Sequence, residues 1–269
     1  MGTYCQLRIK GITWDDYSLL EYSDVTTKLS VNLNKIALLR NSRGRDFPSV
    51  VGFAKKFIAL GVHGITVHPR EDERHITRQD ARDLGKLLVD YPDVEYNIEG
   101  YPSEEFLDLV EECQPDQVTL VPDAVDQLTS DHGWDVAWHG ELLTMVTERL
   151  KKSGIRVAAF LDPDVEQVKR VAATGVDRIE LYTEEFASTY GAAQQATVLE
   201  KYAAAAAEAG RMELEINAGH DLDSDNLATF LTIPNILEVS IGHVLTVECI
   251  EQGMPTVVAK YLDICNNSA

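Results

Sequence analysis

Side chains able to move protons or grip a small anion stand at the ends of short β-branched runs in this chain. They are Asn32 and Asn34, His68, Glu99, Glu180, Asn217 with His220, and Gly242–His243. An imidazole and a carboxyl that face each other can divide the work of base and acid, because their surroundings push their pKa values apart. Taken singly, a His or Glu at such a point is ordinarily solvated or hydrogen-bonded locally. Converging on one rim, the set reads as a catalytic site. Glu180 carries a competing reading, since Arg178 beside it can pair with a nearby surface carboxylate.

The supply of positive charge says what kind of anion such a site can hold. With 24 Lys and Arg against 44 Asp and Glu, the formal net charge is -20. Nucleic acid or an anionic membrane needs a basic face, so neither is expected as the main partner. Small anions remain open, because the few cations cluster: Arg40, Arg43 and Arg45 form one island, and Arg70, Arg74 and His75 a second. Gly219–His220 and Gly242–His243 add backbone N–H groups near expected helix starts, which can hold phosphate without much positive charge; the bland reading is that these glycines only turn the chain. The run from His68 to His75 interleaves arginines among its possible ligands and lacks helical zinc spacing, so no metal site is expected. Asp221, Asp223 and Asp225 mimic the start of a calcium loop, but Asn226 and Thr232 stand where Gly and Glu are required; helix capping accounts for them better.

Elements must bring these residues together. Strands are expected over Lys28–Leu33, Gly64–His68, Val94–Ile98, Gln117–Leu120, Arg156–Leu161, Arg178–Leu181, Glu213–Asn217 and Glu238–Ile241, with stretches of helical periodicity between them. Ser103–Glu104–Glu105 and Asp164–Val165–Glu166 place caps at helix starts. Strand-then-helix units repeated this way predict a parallel sheet closed as a single (β/α)8 TIM barrel, an α/β fold that commonly takes about 250 residues. Leu60–Val67 echoes Thr174–Leu181, each reading as a helix that ends at glycine and turns into a buried strand. An open doubly wound sheet would call for a Gly-rich phosphate loop after the first strand, and no GxGxxG occurs there. Residues 1–26 precede the barrel as an extension, either a tail or a cover on its bottom, and 27–269 form the catalytic domain. The long stretch Asp123–His139 reads as a lid on the catalytic face.

No apolar run reaches the roughly 18 residues of a membrane span, and Met1–Lys10 has no secretory pattern. Cys5, Cys113, Cys249 and Cys265 are far apart without a CxxC pair, so a reducing cytoplasm is expected.

From Lys28 to Tyr261 the chain resembles the pyridoxine 5'-phosphate synthase family. The resemblance is carried by collinear blocks: Val31–Ala37 with Leu39–Gly44, Gly64–His68, Arg70-Glu71-Asp72, Arg74-His75-Ile76, Leu120-Val121-Pro122, Asn217–His220 and Ile241–His243. It implies condensation of 3-amino-2-oxopropyl phosphate with 1-deoxy-D-xylulose 5-phosphate, giving pyridoxine 5'-phosphate, phosphate and water without a metal or organic cofactor. It implies His68 and Glu99 as bases or acid/bases, His220 as proton donor and Glu180 as a stabiliser of charge. Asn32, Arg43, Gly242 and His243 would hold the amino-ketone phosphate; Arg70, His75 and Thr129 would hold the deoxyxylulose phosphate. Two departures fall at the site: Asn34-Lys35 replaces the commonest Asp-His pair, and Asp221 replaces a Gly. Asn34, Lys35 and Asp221 are expected to keep substrate contacts, Lys35 with a donor and a positive charge. The resemblance also implies a homo-oligomer, an octamer built from dimers, with Arg43 reaching into a neighbour's site. A different phosphosugar aldolase or isomerase, or a barrel that binds without catalysis, are the alternatives; the first usually relies on a strand-end lysine or a metal, and the second fits poorly with His68, Glu99 and His220 all present.

Overall fold

A computed structural model describes residues 26–123 and 129–267. Eight strands are present: β1 Lys28–Asn32, β2 Gly64–Val67, β3 Glu95–Gly100, β4 Gln117–Leu120, β5 Arg156–Leu161, β6 Arg178–Tyr182, β7 Glu215–Gly219 and β8 Ile236–Ile241. Every neighbouring pair is parallel, and β8 pairs with β1, so the sheet closes into a barrel in sequence order. The helices are α1 Asn34–Asn41, α2 Val50–Ala59, α3 Arg78–Leu88, α4 Glu104–Cys113, α5 Val136–Lys152 and α6 Val165–Ala172. They continue as α7 Glu184–Thr189, α8 Gln195–Arg211, α9 Leu227–Phe230, α10 His243–Gln252 and α11 Met254–Asn266. The barrel expected from the sequence is therefore present, and every expected strand overlaps its counterpart. The reading of residues 1–26 as a tail or cover falls, but for its last residue, outside the described residues. So does part of the expected lid, whose residues 124–128 are not described.

Local signals act as the sequence indicates. The Ser103 hydroxyl accepts the Phe106 N–H at 3.3 Å, and Asp164 accepts from Glu166 and Gln167, capping α4 and α6. Gly61 and Gly175, the glycines at which the helices of the internal echo end, take positive φ values of 91° and 81°, where a Cβ would be strained. Among the described residues, no helix is long and apolar enough to cross a membrane.

Alternation along the strands sorts their side chains into two faces. Leu29, Val31, Ile65, Val67, Ile98, Val118, Ile179, Leu181 and Val239 belong to one continuous apolar cluster with residues of the surrounding helices, such as Leu84, Val110 and Tyr202. The alternate positions are polar yet buried: Ser30, Thr66, Asn97, Gln117, Thr119, Arg178, Glu180, Asn217 and Glu238. Hydrogen bonds from Thr119 on β4 to Glu180 on β6, and from Arg178 on β6 to Gln117 on β4, skip over β5 and so run through the barrel interior. At the strand starts, Arg178 pairs with Glu215 at 2.5 Å and with Glu95 at 3.6 Å. Arg178 thus engages carboxylates at the barrel bottom, and among the described residues no hydrogen bond or ion pair joins it to Glu180.

Candidate active site

The ends of β1, β2 and β3 lock one corner of the mouth. Asn32 accepts the Asn34 N–H through Oδ1 at 2.9 Å and donates from Nδ2 to Glu99 Oε2 at 3.3 Å, which fixes its amide. Asn34 Oδ1 accepts the backbone N–H of His68 at 2.9 Å, tying the start of α1 to the end of β2. The His68 ring then lies between two carboxyls, with Nδ1 3.9 Å from Glu99 Oε2 and Nε2 4.0 Å from Asp123 Oδ2. Burial, reinforced by Arg70, His75 and Arg74, holds His68 well below its ordinary pKa, so the free site presents a neutral imidazole. Burial pushes Glu99 well above the carboxyl range, with Glu180, Asp123 and Glu238 adding repulsion. A ready base thus faces a carboxyl held toward its acid form, the division of roles that proton-transfer chemistry needs.

The second basic island follows β2. Arg70 is 7% exposed and its Nη1 donates to Asp123 Oδ2 at 2.5 Å; Ser130 donates to the same oxygen at 2.8 Å. His75 packs edge-on against His68 with ring centroids 6.2 Å apart, and burial first, then Arg70 and Lys35, lowers it to about 4. The first island holds this loop in place. Arg40 forms a two-pronged pair with Asp80 and donates to the His75 carbonyl at 3.2 Å, while Asn41 Nδ2 donates to the carbonyls of Arg74 and His75. Arg40 is thus a brace for the second island.

Across the mouth, Glu180 is 3% exposed, and burial, opposed by the Thr119 hydrogen bond and by His220, places it at about 7. Gly219 makes room for it: a Cβ there would meet Glu180 Oε1 at 2.6 Å. His220 and Asp221 follow with positive φ values of 88° and 55°, and the Thr183 hydroxyl reaches the carbonyls of Gly219 and His220. Next to β7 there is no helix start; α9 begins only at Leu227, so the expected helix N-terminus at Gly219–His220 is replaced by this tight turn. His220 Nδ1 lies 2.9 Å from Asp221 Oδ2, Nε2 lies 3.3 Å from Thr129 Oγ1, and the ring meets Tyr182 edge-on at 5.0 Å. The hydrogen bond from His220 holds Asp221 below the carboxylate range. Helix capping does not account for these aspartates: Asp223 accepts the N–H groups of Asp225 and Asn226 within the turn before α9, whose N-cap is Asn226, and Asp221 serves the imidazole.

Gly242 and His243 do open a helix, α10, and a Cβ on Gly242 would lie 3.0 Å from the Asn32 Cβ, so the α10 N-terminus sits against the Asn32 corner. Lys35 is close enough to His75 and Asp221 to lower both. Arg43 stands apart: it is exposed in the turn after α1, and its side chain makes no hydrogen bond or ion pair to the other site residues among the described residues. Asp123 and Thr119 also belong to this site, and neither carries a signal in the sequence that marks it. Asp123 lies just past β4, a strand end to which no role had been given; Thr119 looks like any interior strand threonine. Among the described residues, no group of three His, Cys, Asp or Glu is arranged to hold a metal ion.

A closed parallel barrel with a neutral histidine, raised carboxyls and clustered cations at the carboxyl ends of its strands has the build of a (β/α)8-barrel enzyme working by proton transfer. Solved barrels share the fold: phosphoribosyl anthranilate isomerase from Thermotoga maritima superposes with a TM-score of 0.54 at 12% identity, covering 89% of this chain and 98% of that one. Tryptophan synthase from M. tuberculosis gives 0.58 at 10% identity over 90% of this chain and 93% of that one. The family is set by sequence. The family model described as "Pyridoxal phosphate biosynthesis protein PdxJ" matches residues 29–267, and the chain belongs to that family. Relatives named pyridoxine 5'-phosphate synthase include one from Brucella anthropi, 50% identical over 238 residues (87% of this chain, 97% of that one). Another, from Flavobacterium johnsoniae, is 49% identical over 237 residues (88% and 98%).

Proposed function

We propose that this chain is a pyridoxine 5'-phosphate synthase, joining 3-amino-2-oxopropyl phosphate to 1-deoxy-D-xylulose 5-phosphate with release of phosphate and water. The observation that carries the reading is the neutral His68 imidazole set between Glu99 and Asp123, 3.9 and 4.0 Å away. Ring closure proceeds by imine formation, dehydration, phosphate elimination and enolisation, each of which needs a proton supplied or removed. His68 takes protons and Glu99 gives and takes them, His220 donates from Nε2 with Asp221 steadying the ring, and Glu180 balances charge as it develops. Arg70, His75 and Thr129 hold the deoxyxylulose phosphate, with Asn34, Lys35 and Asp221 beside them. Asn32, Gly242 and His243 hold the amino-ketone phosphate, the last two through the N–H groups at the start of α10. Arg43 comes from a neighbouring subunit, which makes the active form a homo-oligomer, an octamer built from dimers. Residues 27–269 are the catalytic domain, with 1–26 an extension to it, and the enzyme works in the cytoplasm without a metal or organic cofactor.

The test is to supply purified protein with both ketones and follow pyridoxine phosphate fluorescence and phosphate release. Both signals are expected together, and only with both substrates present. A cleavage or isomerisation product from either ketone alone would point to a different phosphosugar enzyme, and ligand binding without product to a non-catalytic barrel.

A further inference from the structure

Glu180 is hydrogen-bonded to a threonine of the barrel interior. The Thr119 hydroxyl lies 3.2 Å from Glu180 Oε2 and 3.2 Å from Asn97 Oδ1. When Glu180 is charged both are acceptors, and a threonine hydroxyl has one hydrogen to give. On its far side the Asn97 amide donates from Nδ2 to Thr66 Oγ1 at 3.4 Å, and its oxygen faces Thr119. Thr66 and Ser30 continue the row, their hydroxyls 2.8 Å apart. Thr119 is 0% exposed, so bulk water offers no substitute partner. Glu180 itself is confined, because its Oε1 fills the space that a side chain at Gly219 would take.

We propose that Thr119 is a positioning residue for Glu180, its one hydroxyl hydrogen turning to Glu180 when that carboxyl is charged and to Asn97 when it is neutral. With Glu180 charged, the hydrogen points at Oε2 and Asn97 Oδ1 goes without it. With Glu180 protonated, the carboxyl O–H donates to Thr119 Oγ1, and Thr119 donates to Asn97. No proton passes along the row; only the hydroxyl reorients, so the carboxyl stays bonded in both states and does not need to move. The titratable groups facing Glu180 are Glu99 from β3, Glu238 from β8 and His220 after β7. The two glutamates oppose charge on it, while His220 and the Thr119 hydroxyl favour it, Thr119 as the uncharged donor. The inference rests on the charge-balancing role proposed for Glu180.

The experiment follows the side-chain carboxyl of Glu180 by carbon NMR across pH in the full-length protein, with Glu180→Gln assigning the signal. In Thr119→Val, which keeps the shape and removes the hydroxyl, the midpoint should rise by about one pH unit, the size of a lost hydrogen bond to a buried charge. Thr119→Ser should return it close to the wild-type value, and the limb of the pH–rate profile that belongs to Glu180 should move with it. Should the valine variant not fold, Thr119→Ala serves the same comparison. An unmoved midpoint in the hydroxyl-free variant overturns the inference, as does a serine variant displaced as far as the valine one. Turnover that is unchanged in Glu180→Gln overturns the charge-balancing role of Glu180 instead, and the NMR midpoint still decides the hydroxyl.

Discussion

Glu180→Gln should make the protein more stable and less active, with the gain in stability depending on pH. Burial is the main cause that lifts the Glu180 carboxyl from an ordinary 4.5 to about 7. A rise of that size, at about 1.4 kcal/mol per unit, amounts to roughly 3 kcal/mol. The folded state holds this proton more tightly than the unfolded chain does. The stabilisation is therefore fully present below about pH 4.5, where both states are protonated, and is lost as pH rises through about 7. Glutamine keeps an oxygen for the Thr119 hydroxyl and does not titrate. Glu99 and Glu238, which Glu180 pushes up, are relieved of that repulsion in the variant, and this adds to its gain.

The variant should thus gain on the wild type by roughly 3 kcal/mol between about pH 5 and pH 8. Urea unfolding at several pH values measures this, with Trp134 as reporter, since it is 2% exposed and its Nε1 donates to the Leu120 carbonyl. Turnover under the same conditions should fall by about 100-fold or more if Glu180 serves the reaction. A stability difference that stays flat with pH would refute the reasoning, because it would mean that the carboxyl titrates alike in the folded and unfolded chain.

Three further outcomes are expected. His68→Ala and Glu99→Gln should each lower kcat by at least about 100-fold, and Glu99→Gln should also raise the unfolding midpoint near neutral pH for the reason given for Glu180→Gln; near-normal rates in both would remove the pair from the chemistry. Asp123→Asn removes the charge beside Arg70 and should raise KM for the deoxyxylulose phosphate about tenfold while leaving KM for the amino ketone alone; equal changes in both would mean a general loss of shape. Arg43→Ala and His220→Ala, each nearly inactive, should complement when refolded together, with about a quarter of sites intact across a two-fold interface; activity no greater than the separate controls, with mixed oligomers confirmed by mass, would place Arg43 outside a shared site.

Much of the fold is legible in the sequence because closure of a parallel barrel follows from repetition of one unit. The outward strand positions, such as Val31, Ile65 and Leu181, are apolar and the helix caps are local, so neither depends on distant contacts. The site is legible in part for the same reason: strand ends are where His68, Glu99 and Glu180 fall. What escaped depends on contacts between distant segments. Asp123 reads as the start of a polar loop until Arg70, 53 positions earlier, is seen to bond it. Thr119 is an unremarkable strand residue until Glu180, 61 positions later, is seen across the interior. Gly219 reads as a turn glycine, yet the positive φ values fall on His220 and Asp221, and the missing side chain at Gly219 serves the Glu180 carboxyl instead. Arg43 shows the opposite case: its proposed use lies on another subunit, which one chain cannot display.

A chain of net charge -20 is an awkward host for two phosphorylated substrates, and the mouth answers this locally. Glu99 and Glu180 would repel phosphate if charged, but burial holds both toward the neutral acid. Asp123 is paired with Arg70, and Asp221 with the His220 ring, so each faces the mouth with a partner already engaged. The remaining cations, Lys35 and Arg74 among them, lie close enough to lower His75. The same burial that keeps His68 a neutral base therefore also keeps its neighbouring carboxyls from opposing the substrates. Charging either glutamate would damage binding as well as chemistry, so raising the pH through about 7 should weaken phosphate affinity together with turnover.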